Sequence, residues 1–510
     1  MPAEAPVRIV VLGGGTAGWM AANLFAKRWN GAAGGRRAVV TVIESPDIGI
    51  IGVGEGSTPQ LKAFFDDLGL AERDWMPRCN ATYKVGIAFH GWSARPGYES
   101  YFHPFPTGVD DQSADAFFTN CAARRGGFAL EAHPDKFFLP AALAREKRAP
   151  TGIIGTGLAV SYGYHFDAHL VGAVLRDHAV AQGVRHLPLN VTRVDVSKTG
   201  DVAALVTEDG QHITADIFVD SSGFRGVIAQ QALGEPFLPF AENLFNDSAV
   251  VMPTPADPKC LNVHTKSTAM SAGWCWDIPL TSRTGNGYVY SSRYLDADAA
   301  ETELRQHLGM LDSDVAVRHL TMKVGRLARS WTGNCLAVGL SQGFIEPLEA
   351  TALHIVQATV EGFIDAYDRG GFTPQHRDAF NQMIAARYEG IRDYIVCHYR
   401  VNQRRDSDYW RDNAANTALS PSLKSLLTSW FSGGDLVAEV QRQNIGRYYS
   451  AISWHCLLAG YGSFPDDNRL RAAVAGMDIA LLARMLTGRA KDFPRHGDAL
   501  RAMMTTSLAQ

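Results

Sequence analysis

Apolar runs separated by glycine-rich turns give the start of the chain a regular pattern. A β-branched run from Arg8 to Leu12 is followed by three glycines and then by residues 19–26, which have the composition of a helix. A second apolar run covers residues 38–43 and ends in an acidic residue. This order predicts that residues 1–45 form a β-α-β unit.

The pattern changes several times further along the chain. Residues 61–70 predict a short helix, and Asp167 is a suitable N-cap for a helix that runs to about Ala181. Residues 85–165 mix aromatics, glycines and prolines without a clear period, which favours an inserted region with little regular structure. Strand patterns occupy residues 189–215, 215–220, 248–295 and 335–340, whereas helix formers dominate from about residue 374.

These elements predict a mixed α/β protein. Strands return towards one nucleotide site after about 200 and about 320 residues, which favours a discontinuous, Rossmann-like FAD-binding domain of the flavin monooxygenase type. We expect this domain to span residues 1–373, with an inserted substrate region at about 85–165 and a sheet region at about 235–330. Residues 374–510 are expected to form a helical, substrate-binding part.

Composition narrows the classes of function. The 510 residues are 46% apolar and carry a net charge of −4, so the chain shows no electrostatic footprint for nucleic acid or an anionic membrane. The seven cysteines include no CxxC pair, which fits a reducing compartment. The sequence shows no signal peptide and no membrane span, and we expect a cytoplasmic protein.

The first turn carries the pattern of a dinucleotide site. In Gly13-x-Gly15-x-x-Gly18, the glycines suit a tight turn, close approach of a pyrophosphate and close helix packing, respectively. Thr16 and Ala17 lie between the second and third of these glycines, just before the predicted helix. Glu44, at the end of the second strand, could bind the ribose hydroxyls. A glycine-rich turn without a ligand is the alternative, which the following strand and acid make less attractive.

Two histidines raise the question of a metal. His165 and His169 have a spacing that could hold a metal ion, but no third ligand follows at a standard distance. We therefore expect no metal site.

Two tryptophans form the second informative motif of the sequence, after the glycine turn. Trp274 and Trp276 in the WxWxIP segment would project from the same face of a strand, which core packing alone could explain. Taken with the N-terminal turn, however, the chain resembles the flavin-dependent halogenases of the tryptophan halogenase family. The matching segments are GGGTAGW at 13–19, IGVGE at 51–55, ATYKVG at 81–86, YHFDA at 164–168, DSSGFRG at 220–226, GWCWDIP at 273–279 and FIEPLEAT at 344–351.

The resemblance implies a reaction in two stages. A separate flavin reductase supplies FADH2, and halide attacks a flavin C4a-hydroperoxide to give hypohalous acid. The oxidant then passes through an internal tunnel to a lysine, which matches Lys84, and halogenates an electron-rich aromatic such as indole. In the family the two tryptophans separate the flavin from the organic substrate.

Lys84 and Glu349 match the family's catalytic residues. The lysine could hydrogen-bond hypohalous acid, or, as a desolvated amine, form a haloamine; the sequence leaves both open. Glu349 could polarise the oxidant, stabilise the arenium intermediate and accept its proton. Its alternative role is to cap a helix, and Glu346 is the residue with which it could be confused.

The resemblance also implies binding residues. The backbone N–H groups of Thr351 and Ala352 match the halide site, where the family usually has Ser-Thr-Gly after the glutamate. The chain has Ala-Thr-Ala, so the choice between chloride and bromide is open and a bromide preference is one outcome. Further flavin contacts are expected at Ile48, Ile51, Val191, Leu340 and Leu353.

The substrate side is expected to be aromatic. His103 and Phe105 match the family's substrate pocket, and Tyr448 and Tyr449 match the wall that sandwiches an indole. The segment before Tyr448 is shorter than in members specific for tryptophan. We therefore predict an open pocket for indole-like arenes, with free tryptophan a poor substrate.

Two other functions compete with this interpretation. A flavin-dependent aromatic hydroxylase would usually carry a Gly-Asp pair after its third strand, where this chain has Gly339-Leu-Ser341. A non-catalytic flavin sensor would be favoured if Lys84 and Glu349 were exposed or far apart. Homodimerisation is consistent with the family, although no segment of the chain demonstrates it.

Overall fold

The structure is a computed structural model, and it describes residues 5–30, 38–49, 54–151, 159–257, 261–472 and 478–507. The strands in these ranges are β1 Val7–Leu12, β2 Ala38–Glu44, β3 Gly54–Gly56, β4 Thr82–Lys84, β5 Gly86–His90, β6 Ser100–Pro104, β7 Gly163–Asp167, β8 Arg185–Pro188, β9 Val191–Val196, β10 Val202–Thr207, β11 His212–Ile213, β12 Ile217–Asp220, β13 Phe237–Pro239, β14 Ser248–Pro255, β15 Thr265–Ala269, β16 Gly273–Pro279, β17 Arg283–Tyr290, β18 Arg318–Thr321, β19 Gly325–Leu327, β20 Trp331–Thr332, β21 Cys335–Ala337 and β22 Gly343–Phe344. The α-helices are α1 Thr16–Asn30, α2 Gln60–Leu68, α3 Glu72–Trp75, α4 Asp111–Arg125, α5 Leu139–Glu146, α6 Ala168–Ala181, α7 Ala297–Leu308, α8 Ala352–Arg369, α9 Arg377–Arg400, α10 Asp408–Ala415, α11 Pro421–Phe431, α12 Leu436–Arg442, α13 Ala451–Gly460, α14 Ile479–Ala490 and α15 His496–Ser507.

A six-stranded sheet carries the nucleotide-binding turn. Its order is β20-β21-β12-β1-β2-β8, and every pairing except β20 with β21 is parallel. The strands β12 and β21 come from far along the sequence and join β1 in the same sheet. The α/β fold class is therefore confirmed, and so is the return of distant strands to the first β-α-β unit.

Two further sheets position the rest of the site. A seven-stranded sheet has the order β18-β14-β17-β16-β15-β5-β6, with the two tryptophans of WxWxIP on β16. A small antiparallel sheet has the order β3-β7-β4 and ends in Lys84. One continuous apolar core packs α1, α6, α8 and α9 with both of the larger sheets.

The region from 85 to 165 differs from the sequence-based expectation. It contains β5, β6, α4 and α5 rather than irregular chain. The buried face of α4 is built partly from Ser113, Asn120 and Cys121 beside Phe117, so its helical period is invisible to a count of apolar residues. Proposed domain bounds at 373 and 374 fall between α8 and α9 and stay a prediction.

Two further features bear on the sequence analysis. Among the described residues, no helix combines the length and the apolar character needed to cross a membrane. The six cysteines in the described ranges are all free thiols.

Candidate active site

The glycines of the first turn divide into two kinds. Gly13 has a φ of +116°, and a Cβ there would lie 2.2 Å from the Ser221 carbonyl oxygen; at Gly18 a Cβ would lie 2.0 Å from the Gly13 oxygen. Gly15, in contrast, has no atom within 4 Å of the corresponding position. Gly13 and Gly18 are therefore required by the protein's own packing, whereas Gly15 leaves its backbone open to a ligand.

The surroundings of this turn fit a dinucleotide. Helix α1 begins at Thr16, so its first N–H groups lack intrahelical partners and its positive end lies beside the turn. The Glu44 carboxyl carbon lies 2.1 Å from the position a Cβ would take at Gly14, and Glu44 Oε2 is 2.9 Å from His186 Nε2. An acidic side chain thus lies beside the glycine turn, as ribose binding requires.

The other expected flavin contacts are spread around this sheet. Gly339, with a φ of +64°, starts a 3-10 turn, and a Cβ there would lie 2.8 Å from Ala17 Cβ. Leu340 follows in that turn, Leu353 is buried in the first turn of α8, and Val191 begins β9. Ile48 is 58% exposed, and Ile51 lies outside the described residues. Their contacts with FAD stay predictions.

Lys84 lies at the end of β4 and is completely buried. Its Nζ has no hydrogen-bond partner among the described residues and lies 5.4 Å from the centre of the Phe105 ring. Burial lowers the pKa of Lys84 from 10.5 to about 7, although the charge of Glu349 opposes the fall. The amine therefore points into the protein rather than into bulk water.

Glu349 ends the 3-10 turn Pro347–Glu349 and is 3% exposed. Its carboxylate lies 3.1 Å from His103 Nδ1 and 3.1 Å from His398 Nε2. Burial alone would raise the pKa of Glu349, but its interactions with His103 and His398, those with His103 above all, outweigh burial and lower the pKa to about 2. The group is an anion across the physiological range.

His398, on α9, is a site residue that the sequence analysis missed. It is fully buried, and its Nδ1 lies 3.0 Å from the hydroxyl of Tyr461. An ionised carboxylate can only accept, so we assign the ring hydrogen to Nε2, which donates to Glu349, while Nδ1 accepts from Tyr461. Burial lowers the pKa of His398 more than its contacts with Glu349 raise it, which agrees with a neutral ring. A histidine inside a long helical pattern gives no sequence signal for this role.

One segment, made of β6 and the residue that follows it, contacts both candidate catalytic groups. His103, on β6, binds Glu349, and Phe105, two residues further, covers the Lys84 amine. Side chains two positions apart along an extended strand point to the same side. Lys84 and Glu349 therefore lie along one wall, and both are buried.

The expected halide turn joins Glu349 to α8. Ala350 has a φ of +55°, a left-handed conformation that costs energy for a residue with a Cβ. Thr351 occupies the N-cap without a side-chain capping bond, and Ala352 begins the helix. The missing glycine therefore does not leave Ala352 strained, because the unusual backbone falls at position 350 instead.

The two tryptophans are buried on the same face of β16, as expected. Their ring centres are 6.1 Å apart. Trp274 Nε1 donates to Glu346 Oε2 at 2.9 Å, and the Asn246 amide and Tyr399 hydroxyl donate to the same oxygen. Glu346 thus binds the tryptophan strand, whereas Glu349 binds the histidines.

Aromatic rings enclose the Glu349 side of the site. Tyr449 stacks on Tyr394 with ring centres 3.6 Å apart, and the charge of Glu349 raises the pKa of both phenols further than burial alone. Tyr448 packs against Gly390 of α9, where a Cβ would lie 2.3 Å from its ring. Tyr449 is therefore close enough to Glu349 for the carboxylate charge to change its pKa. Tyr448 packs one helical turn before Tyr394 along α9.

His165, in contrast, is held by hydroxyl groups on both sides of its ring. Its two ring nitrogens lie 3.0 Å from the hydroxyls of Thr82 and Thr265. Both partners are neutral side chains.

Comparison with known proteins agrees with this arrangement. The family model described as tryptophan halogenase matches residues 8–476. The tryptophan 6-halogenase SttH of Streptomyces toxytricini is 35% identical over 491 residues, 90% of each chain. The tryptophan 7-halogenase RebH of Lentzea aerocolonigenes is 33% identical over 492 residues, 91% of each chain.

Solved structures show the same likeness in three dimensions. The flavin-dependent halogenase BrvH from Brevundimonas sp. BAL3 superposes with a TM-score of 0.81 at 30% identity, covering 98% of this chain and 99% of its own. The SttH crystal structure gives a TM-score of 0.82 at 31% identity, covering 98% of this chain and 99% of its own. Both the sequence and the fold match over nearly the whole length, which favours halogenation over the aromatic hydroxylase and the sensor. The chain therefore belongs to the tryptophan halogenase family and is a flavin-dependent halogenase, an enzyme that uses FAD and a halide to halogenate an aromatic substrate.

Proposed function

We propose that Lys84 and Glu349 are the catalytic residues and that they act on an electron-rich, indole-like arene. The observation that carries the proposal is their joint burial: neither side chain reaches bulk water, and the charge of one changes the pKa of the other. Strongly perturbed ionisable groups that share one enclosed region are typical of active sites.

The glycine turn supports the cofactor assignment. Gly13, Gly15, Thr16, Ala17 and Gly18 would hold the pyrophosphate, and Glu44 would hold the ribose. Val191, Leu340 and Leu353, with Ile48 and Ile51, would line the rings. FAD, reduced by a separate flavin reductase, would activate O2, and O2 would supply the oxidising equivalent that converts halide to hypohalous acid.

The start of α8 supports the halide assignment. The N–H groups of Thr351 and Ala352 lie at the positive end of an 18-residue helix, where an anion is stabilised. Either chloride or bromide suits such a site. Direct competition between the two halides in one reaction would establish the preference.

The chain's own groups then account for transfer to the arene. The Lys84 amine binds the oxidant, either by donating hydrogen bonds to its oxygen or as a neutral amine that takes the halogen from hypohalous acid and releases water. The carboxylate of Glu349 faces the ring, stabilises positive charge on it and accepts the proton that leaves. Trp274 and Trp276 keep the arene away from the flavin.

The aromatic surroundings support the choice of substrate. Aromatic side chains lie around the two catalytic groups: His103 contacts Glu349, Phe105 covers Lys84, and Tyr449, which follows Tyr448, stacks on Tyr394. The link from α12 to α13 spans only residues 443–450. A short link gives little chain with which to hold an amino-acid headgroup, so free tryptophan should be a poor substrate.

A product assay tests the proposal. The protein is supplied with a flavin reductase, FAD, NADH and chloride or bromide, and products from indole, L-tryptophan and phenols are read by mass spectrometry. We expect halogen isotope patterns with indole-like substrates, and none with Lys84→Met, while the exposed-site control Lys424→Met keeps them. An added oxygen without halogen would contradict the reaction, and a large preference for L-tryptophan would contradict the substrate class. Size-exclusion chromatography with light scattering tests whether the enzyme forms the homodimer that the family resemblance allows.

A further inference from the structure

A chain of hydrogen bonds runs beneath Lys84 on the small sheet β3-β7-β4. The Thr82 hydroxyl lies 2.7 Å from the carbonyl oxygen of Pro279, the last residue of the WxWxIP segment. Thr82 Oγ1 also lies 3.0 Å from His165 Nδ1, and His165 Nε2 lies 3.0 Å from Thr265 Oγ1. All four side-chain and backbone groups come from different strands.

The carbonyl at one end fixes the direction of every bond. A carbonyl oxygen only accepts, so the single hydroxyl hydrogen of Thr82 is donated to Pro279. Thr82 Oγ1 must then accept from His165 Nδ1–H, which leaves Nε2 of the neutral ring as an acceptor. Thr265 donates its own hydrogen to Nε2. The Thr265 oxygen consequently offers lone pairs, and no hydrogen, to any other neighbour.

That oxygen faces the same small space as the Lys84 amine. The position that a Cβ would take at Gly56 is 3.1 Å from Lys84 Nζ and 3.3 Å from Thr265 Oγ1. His165 Cδ2 lies 3.5 Å from the same point. Because position 56 is glycine, no side chain fills the space that the lysine amine and the threonine oxygen share.

We propose that His165 is a positioning residue for Lys84: held as its Nδ1–H tautomer, it turns Thr265 into a pure hydrogen-bond acceptor for the lysine amine. This inference rests on the proposed role of Lys84. In this arrangement the carbonyl group of Pro279, in the WxWxIP segment, sets the tautomer of His165 through Thr82. It also explains why the fully buried Lys84 Nζ lies next to an acceptor without a competing donor.

The charges around the chain keep it in this state. Lys84 faces His165 and Glu349, and His165 faces Lys84, His264 and His496. Burial, followed by those three neighbours, lowers the pKa of His165 well below its usual range. The ring is therefore neutral at physiological pH, and Thr265 keeps its role as an acceptor.

Isosteric variants test the proposal. Thr265→Val removes the hydroxyl and leaves the shape, with Thr265→Ala as a second variant in case valine packs badly. Thr265→Ser restores the hydroxyl. Thr268→Val is the matched control, because the same change is made on the same strand but on its opposite face. Thr82→Val removes the partner that fixes the histidine tautomer.

The readout is the pH profile of halogenated product formed per FADH2 consumed, from pH 5.5 to 9, with FAD affinity and thermal stability measured alongside. We expect Thr265→Val to lower the pKa assigned to Lys84 by about one unit, because a lost hydrogen bond to a charged donor is worth about that much. Thr82→Val should shift it in the same direction, whereas Thr265→Ser and Thr268→Val should match the parent. The free energy of unfolding of each variant can also be compared with that of its double mutant with Lys84→Met. The pH dependence of this difference should show the same shift in the Lys84 pKa, and the measurement needs no turnover.

Two results would overturn the inference. One is a Thr265→Val profile that coincides with that of Thr268→Val; the other is a loss of rate that is equal at every pH. Both leave a parent enzyme that halogenates, so they differ from failure of the proposed function, in which the parent forms no halogenated product and this inference falls with it.

Discussion

Replacing Lys84 with methionine should make the protein more stable while it abolishes halogenation. The side chain is completely buried, and its amine has no hydrogen-bond partner among the described residues. A methionine fills nearly the same volume without a charge. The expected gain in stability is the free energy that the folded protein spends on keeping an ammonium out of water.

The magnitude follows from the pKa. Burial lowers the pKa of Lys84 from 10.5 to about 7, and one pKa unit corresponds to about 1.4 kcal/mol, so the cost is at most about 5 kcal/mol. Below pH 7 both the folded and the unfolded chain carry the proton, and the whole cost is present. Between about pH 7 and 10.5 the folded protein releases the proton first, so the cost shrinks as the pH rises.

Urea unfolding at pH 6 and pH 9 measures this difference. We expect Lys84→Met to raise the free energy of unfolding by about 2–5 kcal/mol at pH 6, and by about 2–3 kcal/mol less at pH 9. Lys424→Met, at an exposed position, should change little at either pH. A Lys84→Met protein that is no more stable than the parent at pH 6, or whose gain does not depend on pH, would refute the reasoning.

Three further outcomes are expected. Gly15→Ala should fold normally and weaken FAD binding by about tenfold or more, whereas Gly18→Ala should lose about 3 kcal/mol of stability, because only the latter Cβ meets backbone; fluorescence titration and unfolding curves separate the two. Glu349→Gln should lower kcat by about 10²–10³-fold with unchanged FAD affinity, and a rate near that of the parent in steady-state assays would remove the residue from the mechanism. Trp274→Phe should cost at least about 1 kcal/mol more stability than Trp276→Phe, because it takes a donor from a buried carboxylate; equal losses in urea unfolding would contradict this.

Much of the cofactor side could be predicted from local sequence. The turn from Gly13 to Gly18 and the acid at Glu44 are set by backbone conformation and by their place at strand ends, both of which are local properties. The N-cap at Asp167 is local as well, and its side chain accepts from the N–H groups of His169 and Leu170 as expected. Each of these features can be recognised from a few consecutive residues, even where, as at Gly13, a distant segment packs against it.

The supporting residues of the site could not be predicted in this way. His398 meets Glu349 only because α9 packs against β6, and Thr265 meets His165 only because two different sheets adjoin. A buried histidine or threonine has no distinctive neighbours in sequence. The helix α4 was not predicted for a related reason, since small polar residues such as Ser113 and Asn120 lie on its buried face.

The contacts of Glu349 with both His103 and His398 have a consequence for how the enzyme folds during synthesis. The two histidines are contributed by β6 and by α9, which are made at widely separated times during synthesis. A ribosome-bound chain that has completed the nucleotide-binding sheet still lacks His398, one of the two partners of the Glu349 carboxylate, until α9 emerges and packs against the rest. The surroundings of Glu349 are therefore completed later in synthesis than the nucleotide-binding sheet.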